Sequence, residues 1–143
     1  MANHRVLVVD DDAAFGRLLR RVVTGAGHDV EAVTNPSDIL ERYDLFKPDI
    51  IFLDLFMPDM DGFEVANWLS DRGFDGKLVF VSGHDPRFSA MARRLAEARG
   101  SADVITLGKP IRVNQIRDVL DGNSDPFGET DDDEPYLCGF QTK

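Results

Sequence analysis

Four places in this sequence pair a short apolar run with side chains able to manage charge. Asp10, Asp11 and Asp12 follow Val6-Leu7-Val8-Val9, and Asp54 follows Ile50-Ile51-Phe52-Leu53. Ser82 follows Leu78-Val79-Phe80-Val81, and Lys109 comes just after Val104–Leu107. Brought together, they would line one crevice with three to four carboxylates, a hydroxyl and an ammonium. Carboxylates at close range repel one another and need a cation. Oxygen ligands without His or Cys select a hard ion, and Mg²⁺ suits two or three protein ligands completed by water. One carboxylate is then available as a nucleophile toward phosphorus. Lysine can meet a phosphoryl oxygen as a point charge, and serine can donate a hydrogen bond to another. Phosphoryl transfer asks little more of a protein than positioning and charge stabilisation, and this inventory supplies both.

The elements that must position these groups are legible in the apolar pattern. After the first strand, Phe15, Leu18, Leu19, Val22 and Val23 recur at helical spacing, and Gly25 and Gly27 end that helix. Asp29–Val33 reads as a second strand. Asn35-Pro36 supplies an N-cap and a first-turn proline for a helix to about Tyr43. Lys47-Pro48 breaks the chain before the third strand. The turn-rich stretch Pro58–Gly62 precedes a helix carrying Phe63, Ala66, Trp68 and Leu69. Asp85-Pro86 opens a long helix to about Arg99, and the last helix runs from about Arg112 to Leu120. Five nearly continuous apolar strands alternating with amphipathic helices predict an α/β fold, a doubly wound, five-stranded parallel sheet covered on both faces. Ligands of such sheets bind beyond the carboxyl ends of the strands, where strand order reverses. That is where Asp10, Asp11, Asp54, Ser82 and Lys109 fall.

Composition sets the outer limits. The chain has 143 residues, with 26 acidic and 16 basic side chains and a formal charge of −10. That length suits one domain, and an acidic balance argues against reading nucleic acid by phosphate neutralisation. One cysteine excludes a disulfide framework and suits a reducing compartment. Apolar runs of four or five residues fall far short of the ~20 that span a bilayer, and the N-terminus lacks a secretory pattern, so a cytoplasmic domain is expected. Between Asp121 and Lys143 stand seven acids and one base. We read 1–120 as the domain and 121–143 as an acidic flexible tail or the start of a linker. Tyr136–Phe140 within it could anchor on a partner, though nothing in the spacing demands it.

The series Val-Leu-Val-Val-Asp10-Asp11-Asp12, Leu53-Asp54-Leu55-Phe56-Met57-Pro58-Asp59-Met60-Asp61-Gly62, Val81-Ser82-Gly83 and Lys109-Pro110 resembles the receiver domain of two-component response regulators over about residues 5–120. The resemblance implies a flavodoxin-like sheet of order 2-1-3-4-5, with Asp54 as phosphoacceptor for a histidine kinase or histidine phosphotransfer protein. It implies Asp11, Asp54 and the Phe56 backbone carbonyl as Mg²⁺ ligands, with Asp10 acting mainly through a metal-bound water. Ser82 would be the switch hydroxyl and Lys109 the phosphoryl partner, with Gly83 and His84 modulating beside them. Phosphorylation would be self-catalysed and autodephosphorylation slow. The readout surface would be the helix over 85–99, the last strand and the last helix. That surface would engage an effector, an output domain or a second copy of the chain.

Plainer readings compete. Asp12 reads best as a helix cap, Trp68 and Phe63 as core, and His4, His28 and His84 as residues without metal spacing. The arginines Arg87, Arg93, Arg94 and Arg99 form either a solvated face or a dock for an acidic partner. Two other functions are open: a haloacid-dehalogenase-type Mg²⁺ phosphohydrolase built on Asp10-Asp11-Asp12, and a pseudo-receiver that binds partners without phosphorylation. The first lacks the usual Gly-Thr after its aspartates, and the complete acid set plus lysine argues against the second. Two departures from the family pattern stand out. Thr106 occupies the position where many receivers carry a switch aromatic, and Ile111 replaces a frequent phenylalanine. Phe56, two residues past Asp54, should hinder attacking water, so Phe56→Asn should shorten the phosphoryl lifetime. An unchanged or slower dephosphorylation rate in that variant defeats the idea.

Overall fold

The computed structural model describes residues 3–57, 60–82 and 103–122. Five strands, β1 (Arg5–Val9), β2 (Asp29–Val33), β3 (Ile50–Asp54), β4 (Lys77–Ser82) and β5 (Asp103–Gly108), form one sheet. Its order is β2-β1-β3-β4-β5 and every pairing is parallel. The described helices are α1 (Ala13–Gly25), α2 (Ile39–Phe46), α3 (Gly62–Asp71) and α4 (Val113–Asp121). The helix expected over 85–99, with its arginines, and the tail from 123 lie outside the described residues.

Strand alternation sends neighbouring residues to opposite faces, and both faces are buried because both are apolar. Leu7, Val9, Ile51, Leu53, Leu78 and Phe80 pack with Ile39 of α2 and Val65, Ala66 and Leu69 of α3. Val6, Val8, Ile50, Phe52, Val79, Val81, Ile105 and Leu107 pack with Leu19 and Val23 of α1 and Ile116, Val119 and Leu120 of α4. Ile111 joins this second layer. Trp68 packs at the margin of the first, edge-on to Tyr43 and beneath the Arg72 guanidinium.

Two details depart from the sequence reading. Asn35 Oδ1 accepts from both the backbone N–H and the hydroxyl of Ser37, which closes a tight turn. A 3-10 turn therefore occupies Pro36–Asp38, and α2 begins only at Ile39. The helix then runs past Tyr43 to Phe46, both of which pack on the core, and ends where Lys47 turns left-handed. At the amino edge of the sheet, His4 and His28 serve as ties: the His4 N–H donates to His28 Nδ1, and Asp49 accepts from Arg5 N–H.

Two glycines give opposite stability predictions. Gly16 is buried in mid-α1, and a Cβ there would meet Ala32 Cβ at 3.6 Å, an ordinary contact. Gly16→Ala should stabilise the fold by about 0.5–1 kcal/mol by removing glycine's backbone entropy cost. A Cβ on Gly76 would collide with the Asp49 carbonyl, which accepts the Lys77 N–H. Gly76→Ala should cost about 1–3 kcal/mol. Denaturant unfolding of both variants checks the signs.

Candidate functional site

The order of strands fixes where a site can form. From β1 the chain crosses outward to β2, then back over β1 to β3, so the reversal lies between the carboxyl ends of β1 and β3. Asp10 and Asp11 leave β1 at that point and Asp54 ends β3. One carboxylate oxygen from each of the three lies within 4.8 Å of the others. Asp10 and Asp54 are buried, at 2% and 5% exposure, while Asp11 is exposed.

Asp12 turns away from this cluster, and its side chain accepts from the N–H groups of Ala14 and Phe15 as the N-cap of α1. Among the described residues the crevice therefore gathers three carboxylates, Asp10, Asp11 and Asp54. Asp10 Oδ1 accepts from the Asp12 N–H at 2.9 Å, which orients the Asp10 carboxylate. Its other oxygen, Oδ2, is buried and has no hydrogen-bond partner among the described residues.

Lys109 supplies the positive charge. Its Nζ lies 3.2 Å from Asp10 Oδ2 and 3.8 Å from Asp54 Oδ2. The 3.2 Å approach is an ion pair, without a hydrogen bond to Oδ2. β5 stands two strands from β3, a separation of about 10 Å at ordinary strand spacing, so a long side chain has to bridge it. The Lys109-Pro110 peptide is cis.

Among the described residues, one ammonium stands against three carboxylates, a negative balance. Two buried carboxylates, one orphaned oxygen and a purely oxygen donor set fit a hard divalent cation. Asp10, Asp11 and Asp54 could hold it.

The remaining predicted residues are located only in part. Ser82 ends β4 opposite Gly108 of β5, on the same carboxyl edge. Thr106 is buried in β5, paired in register with Phe80. Phe56 follows Asp54 in a two-residue antiparallel ladder, Phe56–Met57 with Met60–Asp61. Gly83 and His84 lie outside the described residues. Sequence reasoning missed Phe15, whose ring centroid is 5.3 Å from Lys109 Nζ. Its helical spacing marked it only as core. A separate cavity of about 280 Å³ opens at the amino edge between Tyr43 and Phe74, away from these groups.

Comparison with known proteins identifies the family to which this fold belongs. The response regulator receiver domain model matches residues 6–121. The chain belongs to that family, and is thus a signalling domain of two-component systems. It is similar to the response regulator MprA of Mycobacterium ulcerans, 33% identical over 112 residues that cover 78% of this chain and 46% of that protein. The chain thus spans about half the length of the curated relatives it matches first. It is also 31% identical to the chemotaxis protein CheY of Thermotoga maritima over 117 residues, 81% of this chain and 93% of that one. Among solved structures, a Burkholderia pseudomallei response regulator with a phosphorylated aspartic acid, calcium ion and citrate is 25% identical. It superposes with a TM-score of 0.70 over 82% of this chain and 66% of that one. Among the described residues no helix is long and apolar enough to cross a membrane.

A divalent cation should raise thermal stability, because it binds the folded crevice and not the unfolded chain; at a hundredfold excess over Kd the gain is about 2.7 kcal/mol. Asp11→Asn, at an exposed position, should leave the metal-free melting temperature nearly unchanged and remove most of the Mg²⁺-dependent rise.

Proposed function

We propose that the chain is a Mg²⁺-dependent phosphoswitch in which Asp54 accepts a phosphoryl group from a histidine kinase or histidine phosphotransfer protein. The observation that carries this reading is the buried Asp54 carboxylate, gathered with Asp10 and Asp11 and 3.8 Å from Lys109 Nζ. An Asp54 oxygen attacks phosphorus as the P–N bond of the donor phosphohistidine breaks. The electron pair leaves with the imidazole, which keeps or takes up a proton. The product is an aspartyl phosphate.

Asp11, Asp54 and the Phe56 carbonyl would hold Mg²⁺, with Asp10 acting mainly through a metal-bound water, and the ion would supply positive charge against the carboxylates and the incoming phosphoryl group. Lys109 meets one phosphoryl oxygen, and the Ser82 hydroxyl donates to another. The phosphorylated aspartic acid and calcium ion of the Burkholderia protein support this assignment. Transfer back to water is slow, so the phosphoryl group acts as a signal.

The response is a population shift. Couplings of about 1–3 kcal/mol are typical of such switches, and new contacts of one phosphoryl group with Lys109 and Ser82 are of that order. Ser82, Gly83, His84 and Thr106 form the modulating segment. Thr106 has no aromatic ring to swing inward, so the readout passes through the strand-end hydroxyl and the neighbouring backbone. Residues 1–120 act as the receiver in the cytoplasm, and 121–143 as an acidic tail or linker. The switched surface serves an effector, an output domain or a second copy.

Incubation with Mg²⁺ and acetyl phosphate, read by intact mass beside Asp54→Ala, tests the proposal. Wild type should gain one phosphoryl group and the variant none. Sustained phosphomonoester turnover dependent on Asp10, or no adduct with partner binding intact, would contradict it.

A further inference from the structure

The contacts around Lys109 close into a ring. Asp10 Oδ1 accepts from Asp12 N–H at 2.9 Å, and Asp12 Oδ1 accepts from Phe15 N–H at 3.3 Å. The Phe15 ring centroid lies 5.3 Å from Lys109 Nζ, and that nitrogen returns to Asp10 Oδ2 at 3.2 Å. From this circuit we infer that Phe15 is a positioning residue for Lys109, anchored in turn by the Asp12 cap. The inference rests on the phosphoswitch reading of the site.

The physical need is specific. A lysine stem has many rotamers to lose, and Lys109 must hold one of them across two strands. Its ionic anchors, Asp10 and Asp54, are also the carboxylates that a divalent cation would claim. Once a cation shares them, their pull on the ammonium weakens, and cation and ammonium repel. The aromatic face attracts the ammonium through its quadrupole and is not a ligand for which the cation competes in this crevice. Phe15 is half-buried against the α1–α4 layer, so the ring itself is held. Its backbone position is set by the first turn of α1, directly after the acidic residues. The aspartate run thus does two jobs: Asp10 and Asp11 face the crevice, and Asp12 fixes the residue that steadies the lysine opposite.

Phe15→Leu keeps an apolar side chain and removes the π face, while Phe15→Tyr keeps the face. With acetyl phosphate and Mg²⁺, Phe15→Leu should phosphorylate about two- to fivefold more slowly than wild type, the size of one exposed cation–π contact. Phe15→Tyr should retain the wild-type rate, and thermal melting reports any loss of fold separately.

A second readout needs no variant to fold. The Lys109 ε-methylene protons should be shifted upfield by the ring current relative to Lys47 and Lys77 in NMR spectra of wild type with Mg²⁺. That shift should persist in Phe15→Tyr and vanish in Phe15→Leu. Equal phosphorylation rates for wild type and Phe15→Leu, or an unshifted Lys109 signal in wild type, would overturn the inference. A wild type that takes up no phosphoryl group would instead overturn the phosphoswitch, and the ring-current shift would still decide the contact.

Discussion

Two buried carboxylates and a third exposed one, gathered at one edge of a sheet, are a source of repulsion that the rest of the fold has to contain. Asp10 and Asp54 lie in surroundings where charge is poorly solvated, so each must be met by a hydrogen bond or an opposite charge. The Asp12 N–H meets one oxygen of Asp10, and the Lys109 ammonium stands near the other and near Asp54. Among the described residues the balance remains short of positive charge. A site left in that state has the donor set to hold a hard cation. Stability at this edge and affinity for its ligands are the same property seen from two sides.

The sheet makes this arrangement possible at low cost elsewhere. Its strands are apolar on both faces, so the core is packed in two apolar layers, and the three carboxylates stand at the sheet's edge. The ladder of parallel pairs from β2 to β5 sets the carboxyl ends side by side. Reversal of strand order between β1 and β3 then leaves an opening at that edge. Lysine is suited to the far side of this opening because it reaches across β4 with a flexible stem and a compact charge. Flexibility is also its weakness, which is why the aromatic ring beside it matters.

Much of this was legible in the sequence, for a physical reason. Runs such as Ile50–Leu53 are buried on both faces and stay apolar throughout, so strands stand out; a charged residue ending such a run marks the edge where chemistry can occur. Asp10, Asp11, Asp54 and Lys109 were identified in this way, and the structure brings all four together. Helix boundaries were less legible. Asn35 was expected to cap an α-helix, but its side chain closes a 3-10 turn on Ser37 because short polar side chains satisfy either geometry. Phe15 was hidden for a different reason. Its place in an apolar stripe accounts for it fully, and its approach to a lysine 94 residues away is a tertiary fact with no local signature. Arg112, which composition alone would place in solvent, is buried at 1% exposure.

If the carboxylates at the ends of β1 and β3 form one divalent-cation site facing Lys109, a paramagnetic ion should report it. Paramagnetic broadening of backbone amide signals by substoichiometric Mn²⁺, a hard ion that accepts the same oxygen ligands, tests it most directly. Signals from residues 10–12, 54–56 and 109 should be lost strongly and selectively, and excess Mg²⁺ should restore them. Broadening centred on the amino edge around Asp44, Asp49 and Asp75, or spread evenly over the acidic surface, would contradict it.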